Sequence, residues 1–164
     1  MPELTRNRAI LAAAGGSALM LAAAFVAQYG FGLHPCALCL WQRWPHGAAV
    51  LIGLAALALP GRILPLLGAL AALATAGIGL FHVGVEQGWW AGLASCTAGP
   101  GIGGLTVEAL LDPTIRVPEP PRCDAVPFRF AGLSMAGWNA VLSAGLAAVW
   151  LVAARARSGR VSAA

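Results

Sequence analysis

The chain has 164 residues, 59% of them hydrophobic and only 10% charged, with a mean hydropathy of +0.78. Soluble domains carry about 25% charged residues, so the composition excludes an ordinary soluble protein. The same apolar richness excludes a disordered chain despite 21 Gly and 11 Pro. The formal net charge is +4, but the basic residues, all Arg, are scattered and offer no continuous face for nucleic acid.

Asp, Glu, Lys and Arg are absent from residues 9–42, 44–61, 63–85, 87–107 and 130–154. A transmembrane helix needs about 20 mainly apolar residues, because it rises about 1.5 Å per residue across a hydrocarbon core about 30 Å thick. In chain order, this predicts helices over residues 9–29, 40–59, 63–85 and 130–153, with Arg43 near the start of the second. Segment 87–107 is equally uncharged, but Gly at 88, 92, 99, 101, 103 and 104 and Pro100 make it a poor helix. The reading is one membrane domain over residues 1–164, an all-α bundle of four transmembrane helices.

Orientation follows from the arginines. Arg6 and Arg8 precede the first helix, Arg62 lies in the turn 60–62, and Arg155, Arg157 and Arg160 follow the fourth; with Glu3 this side carries +5. Residues 86–129 hold three Arg against five acids, a charge of −2. Both termini are therefore expected in the cytoplasm, with loops 30–39 and 86–129 on the outer side. A cleavable signal peptide is the competing reading of the N-terminus. The apolar run exceeds the ~7–15 residues of such a segment, and its removal would set the C-terminal arginines against the charge rule.

All four cysteines fall on the outer side: Cys36 and Cys39 in a C-x-x-C between the first two helices, Cys96 and Cys123 in the long loop. Two structural bridges are the plain reading of such a compartment, and a zinc site is another, although the spacing matches no common zinc ribbon. Three features favour redox chemistry. A C-x-x-C ring is small, constrains little unfolded entropy and is redox-labile. Cys39 lies where the second helix begins, where unpaired N–H groups stabilise a thiolate. Arg43, four residues on, shares a helical face with Cys39. Its plain role is to reach back to the headgroups; beside a C-x-x-C it becomes a candidate to stabilise a thiolate or an anionic redox ligand. No expected span contains Asp or Glu, which disfavours a proton or cation pathway. Electrons leaving such a membrane-embedded pair need a lipophilic acceptor, and quinone is the natural one.

His34-Pro35-Cys36-Ala37-Leu38-Cys39 with Trp41-Gln42-Arg43 and a second outer cysteine pair resembles the disulfide bond formation protein B (DsbB) family. So do His82-Val83-Gly84-Val85-Glu86 with Trp89-Trp90, and Gly132-Leu133-Ser134-Met135-Ala136-Gly137-Trp138-Asn139. The resemblance covers roughly residues 10–150. It implies that Cys36 and Cys39 pass electrons to ubiquinone or menaquinone, with Cys39 nearer the quinone and Arg43 holding it. It implies that Cys96 and Cys123 reoxidise a periplasmic thioredoxin-like dithiol oxidase of the DsbA type, Cys96 taking the attack and Cys123 exchanging with Cys36. The DsbA–DsbB–quinone chain is the known route that keeps the bacterial periplasm oxidising. A low pKa at Cys39 is the main physical requirement. The expected setting is the bacterial inner membrane, with the redox cysteines on the periplasmic side. Position 42 is Gln where well-known members carry Glu. His82, near the outer end of the third helix, is a candidate quinone contact or a satisfied interfacial histidine.

The long loop suits a shuttle. Residues 106–111 are expected to form a short surface helix, Pro118, Pro120 and Pro121 a stiff arm before Cys123, and Trp89 and Trp90 an interfacial belt. Two rival readings are a vitamin K epoxide reductase-type thiol oxidoreductase, whose C-x-x-C comes late in the chain, and a non-enzymatic membrane protein with two inert disulfides. A transporter is a third, weakened by the acid-free spans.

Overall fold

Small residues and uncharged runs let four helices pack closely. The described residues of the computed structural model are 2–93 and 121–156. Cys96, the expected 106–111 helix, Pro118, Pro120, Arg157 and Arg160 lie outside them. Helix α1 runs Pro2–Phe25 and continues as a π-helical turn, Val26–Gly30; α2 runs Ala37–Ala58, α3 Ile63–Glu86 and α4 Met135–Arg155. α1 and α3 each pack against α2 and α4 and barely touch each other, so the four helices close a ring in chain order.

Contacts fix their directions. The Arg6 guanidinium donates to the carbonyl oxygens of Ala56, Leu59 and Gly61 at 2.9, 3.1 and 3.3 Å, so the start of α1 lies beside the end of α2. Arg43 of α2 reaches Gln28 and Ala24 near the other end of α1. A Cβ built on Gly79 of α3 would lie 3.1 Å from the Ala136 carbonyl of α4, and one on Gly68 would meet the Trp150 ring. Neighbouring helices are therefore antiparallel. At one end of the ring Trp150, fully buried, fills the space left by Ala13, Ala56, Ala69, Ala72 and Ala147. At the other end lie Cys36, Cys39 and Cys123.

The surface is inverted relative to a soluble bundle. Leu11, Leu19, Leu51, Leu54, Leu70, Leu73 and Leu80 are exposed, while Ser17, Gln42, His46, Thr75, Asn139 and Ser143 are buried. That pattern suits helices solvated by lipid and joined by small and polar side chains. Among the described residues, three helices are long and apolar enough to cross a membrane: Thr5–Gly30, Ile63–Glu86 and Met135–Arg155. α2 is long enough at 22 residues, but Gln42, Arg43, Pro45 and His46 make its first half polar.

Three boundaries differ from expectation. α1 begins at Pro2 rather than residue 9, because Arg6 finds its partners on α2 and can stay helical. α2 begins at Ala37 rather than residue 40. α4 begins at Met135 rather than residue 130, because Arg129–Phe130 and Leu133–Ser134 pair as a two-residue antiparallel ladder. Ala131 and Gly132, both with positive φ (49° and 83°), make the turn. Ser134 then caps α4, its hydroxyl accepting from the Gly137 N–H at 3.1 Å.

Candidate functional site

The cysteine end is organised from the start of α2. Cys36 is the N-cap: its Sγ accepts from the Cys39 N–H, three residues on, at 3.3 Å. This is the capping bond usually made by Ser or Asp, and it spends an orphan helix donor on sulfur. The expected help from the helix N-terminus therefore falls on Cys36 rather than Cys39, since the helix starts three residues earlier than expected. The two sulfurs are 3.0 Å apart as free thiols. The hydrogen bond from the Cys39 thiol holds Cys36 far below the ordinary thiol range, at about 4; burial opposes it, and His82 and the Cys39 N–H add to it.

His82 of α3 closes this pocket from the opposite side. Its Nε2 is 3.1 Å from the Cys123 carbonyl oxygen and 3.7 Å from Cys36 Sγ. A carbonyl only accepts, so Nε2 carries the hydrogen. In the neutral ring Nδ1 is then an acceptor, and the Gln42 amide at 3.1 Å donates to it. The departure at position 42 thus has a local consequence: the amide fixes the tautomer that points N–H toward Cys36 and Cys123, whereas a carboxylate would demand a proton on Nδ1. Glu86 adds a buried carboxylate, Oε1 3.9 Å from Nε2.

Reactive atoms of Cys36, His82 and Cys123 all lie within 4.8 Å of one another. Cys123 is disulfide-bonded, so it offers no thiolate to a metal, and the cluster has the arrangement of a thiol beside a disulfide rather than of a zinc site. Flanking it on the surface, Arg122 and Asp124 pair at 2.6 Å.

On the other face of the C-x-x-C, Cys39 opens onto an apolar cavity of about 300 Å³ between α1, α2 and α4, which Arg43, His46, Phe128, Met135 and Trp138 also line. Arg43 donates to Gln28 Oε1 at 2.6 Å and to the Ala24 carbonyl at 3.3 Å, and lies 5.0 Å from the Phe25 ring centre. Gln28 sits in the π-turn, whose irregular backbone places it opposite Arg43. Cys39 and Arg43, one turn apart on α2, both line the cavity. His82 is not among its lining residues and stands with the cysteine pair instead. Trp90 folds back onto α3, donating to the Phe81 carbonyl at 3.0 Å and stacking on the Phe81 ring.

Sequence reasoning missed His46 and Asn139. His46 Nε2 and Asn139 Oδ1 are 2.9 Å apart across 93 residues of chain, both side chains are buried, and both line the cavity. The signal available was a histidine inside an expected span, a feature that marks function in membranes.

The family model for "Disulfide bond formation protein DsbB" matches residues 6–153. The chain is 34% identical over 153 residues to disulfide bond formation protein B of Methylococcus capsulatus, covering 82% of this chain and 85% of that protein. It is 33% identical over 166 residues to disulfide bond formation protein B of Chromobacterium violaceum, covering 94% and 98%. No solved structure gives a significant match. A match across nearly the whole helical ring, on a multi-pass membrane chain with a C-x-x-C at one end, leads to one conclusion: the chain belongs to the disulfide bond formation protein B family.

Proposed function

We propose that this protein is a thiol:quinone oxidoreductase of the bacterial inner membrane that reoxidises a periplasmic thioredoxin-like dithiol oxidase and so sustains disulfide formation. On this reading α2 is the fourth span, its polar half facing the ring, and the cysteine end is periplasmic. The observation that carries the reading is the C-x-x-C facing two ways. Cys36 stands within 4.8 Å of the Cys123 sulfur, while Cys39 lines an apolar cavity with Arg43.

The cavity fits a quinone on two counts. Its volume of about 300 Å³ lies at the lower bound of about 300 Å³ for small-molecule pockets. Its walls are apolar apart from a few convergent polar groups, the Arg43 guanidinium among them, and a guanidinium donates to a carbonyl. Arg43 and Cys39 would hold the head group, and a ubiquinone or menaquinone bound there would accept two electrons and two protons and leave as its hydroquinone.

The chain's own steps balance as thiol–disulfide exchanges. A partner thiolate attacks Cys96, the Cys96–Cys123 bond breaks, and Cys123 leaves as thiolate. Cys123 then attacks Cys36 Sγ, the Cys36–Cys39 bond breaks, and Cys39 becomes the thiolate on the cavity wall. The partner's second thiol displaces Cys96, which recaptures Cys123 and releases Cys36. A low pKa makes Cys36 a good leaving group in that last exchange. The His82 N–H, shared between the Cys123 carbonyl and Cys36, holds the two strands of chain in register for both exchanges. The test is the purified protein in detergent, given a reduced thioredoxin-like oxidase and a quinone. Quinone reduction with matching oxidation of the partner is expected, and partner oxidation without quinone reduction would defeat the proposal.

A further inference from the structure

Beneath the cavity runs a chain of hydrogen bonds whose polarity can be read end to end. The Thr75 hydroxyl donates to the Gln42 carbonyl at 3.1 Å. The Asn139 amide donates to the Thr75 carbonyl at 3.2 Å and to the Thr75 hydroxyl at 3.1 Å. Because the Thr75 carbonyl only accepts, the Asn139 NH₂ must face it, and Asn139 Oδ1 must face His46. Oδ1 is itself only an acceptor, so the His46 nitrogen beside it, Nε2 at 2.9 Å, carries the hydrogen. Ser143 supports the same corner, its hydroxyl 3.5 Å from both Asn139 Oδ1 and His46 Nε2.

The consequence falls on the other ring nitrogen. With the hydrogen fixed on Nε2, the neutral His46 ring presents a bare acceptor at Nδ1. That atom is buried, has no hydrogen-bond partner among the described residues, and belongs to a residue, 3% exposed, that lines the cavity Cys39 and Arg43 share. A buried acceptor left unpaired is costly, and because His46 also lines the cavity a ligand donor there can relieve that cost. A quinone carbonyl cannot supply one, since it only accepts. A hydroquinone hydroxyl can.

We propose that His46 is a catalytic residue of the quinone site: its Nδ1 accepts a hydrogen bond from the ring hydroxyl of the hydroquinone and not from the quinone, so the cavity prefers the reduced ring. This rests on the quinone reading given above. The overall step balances: the Cys36–Cys39 pair loses two electrons as its S–S bond forms, and of the two protons the quinone gains, one comes from the Cys39 thiol and one from water, because Cys36 is already a thiolate. By favouring the product of that transfer, His46 draws electrons off the cysteine pair. Arg43, a pure donor, meets the opposite need and can bond the carbonyl form.

The test is equilibrium binding of a short-tailed benzoquinone and of its hydroquinone to the full chain in detergent, read by quenching of tryptophan fluorescence. The Cys39→Ser background prevents turnover. With His46 present, the hydroquinone is expected to bind about tenfold more tightly than the quinone, the size of one buried hydrogen bond. His46→Leu is expected to remove that preference while leaving quinone affinity within about twofold. Because the readout is a ratio, a variant that merely unfolds loses both ligands and is recognised by its melting temperature. His46→Gln, whose carbonyl oxygen also accepts, then serves as the second variant and is expected to retain part of the preference. Equal affinities in the parent, or a preference that survives His46→Leu, overturn the role of His46 alone. Failure of both ligands to bind the folded parent overturns the quinone reading with it.

Discussion

Two arginines anchor opposite ends of this bundle, and they are used differently. Arg6 is 5% exposed and spends its guanidinium on the carbonyls of Ala56, Leu59 and Gly61, the unpaired acceptors at the end of α2. It is a helix cap supplied by a neighbouring helix, favoured by the negative end of the α2 dipole. Arg43 makes two bonds to α1 and keeps its other N–H donors beside an apolar cavity. Around Arg6 lie alanines and the buried Trp150; around Arg43 lie Cys39, His46 and a π-turn. One end spends its arginine on the carbonyls of a neighbouring helix end, while the other sets its arginine beside a cavity with room for a ligand. An arginine in an apolar helix is thus interpreted by its partners, not by its position.

The largest effect expected from breaking this contrast is on stability at the Trp150 end. Trp150→Ala leaves a cavity among alanines that cannot collapse, and is expected to cost about 3–5 kcal/mol. Thermal unfolding in detergent measures it, and the alkylation rate of Cys36 in the protein that remains folded should not change. Next come the arginines themselves. Arg43→Leu is expected to raise the quinone KM about ten- to a hundredfold, the worth of a charge-assisted hydrogen bond, while thiol–disulfide exchange with the partner continues. Arg6→Leu should do the reverse, lowering stability by about 1–3 kcal/mol through three unpaired carbonyls and leaving the KM unchanged. If both substitutions acted on KM alike, the contrast between the two ends would be lost.

The smallest expected change is one of pH. Because its folded pKa is depressed to about 4, Cys36 of the reduced protein should be thiolate at neutral pH. Its alkylation rate should stay within about twofold between about pH 8 and pH 5 and fall only as the pH drops through about 4. An ordinary thiol would lose about tenfold per unit over that range. By the same sign, the stability this ionisation contributes is fully present above the unfolded pKa and is lost as the pH falls through the folded one. Cys39→Ala removes the main donor to Cys36 and should move the alkylation profile upward.

The charge gaps made the helices legible, and the spacing of Cys39 and Arg43 made their shared helical face legible. What escaped depends on atoms rather than patterns. The start of α2 decides which cysteine caps the helix, and a difference of three residues moved the benefit from Cys39 to Cys36. Ala131 and Gly132 form a turn inside an apolar stretch that reads as helix, and only the Ser134 cap signals the true start of α4. His46 and Asn139 meet across 93 residues, a pairing no local periodicity carries. Gln42 was visible as a departure from Glu, but its bond to His82 needs the α2–α3 contact to be known.

The central claim is that Cys39 is the electron exit to a membrane quinone. Its most direct test is an anaerobic titration of the fully reduced protein with quinone, followed by quinone absorbance with no partner protein present. The account predicts reduction of a stoichiometric amount of quinone by wild type, with formation of the Cys36–Cys39 disulfide, and no reduction by Cys39→Ser. Full quinone reduction by Cys39→Ser would contradict it.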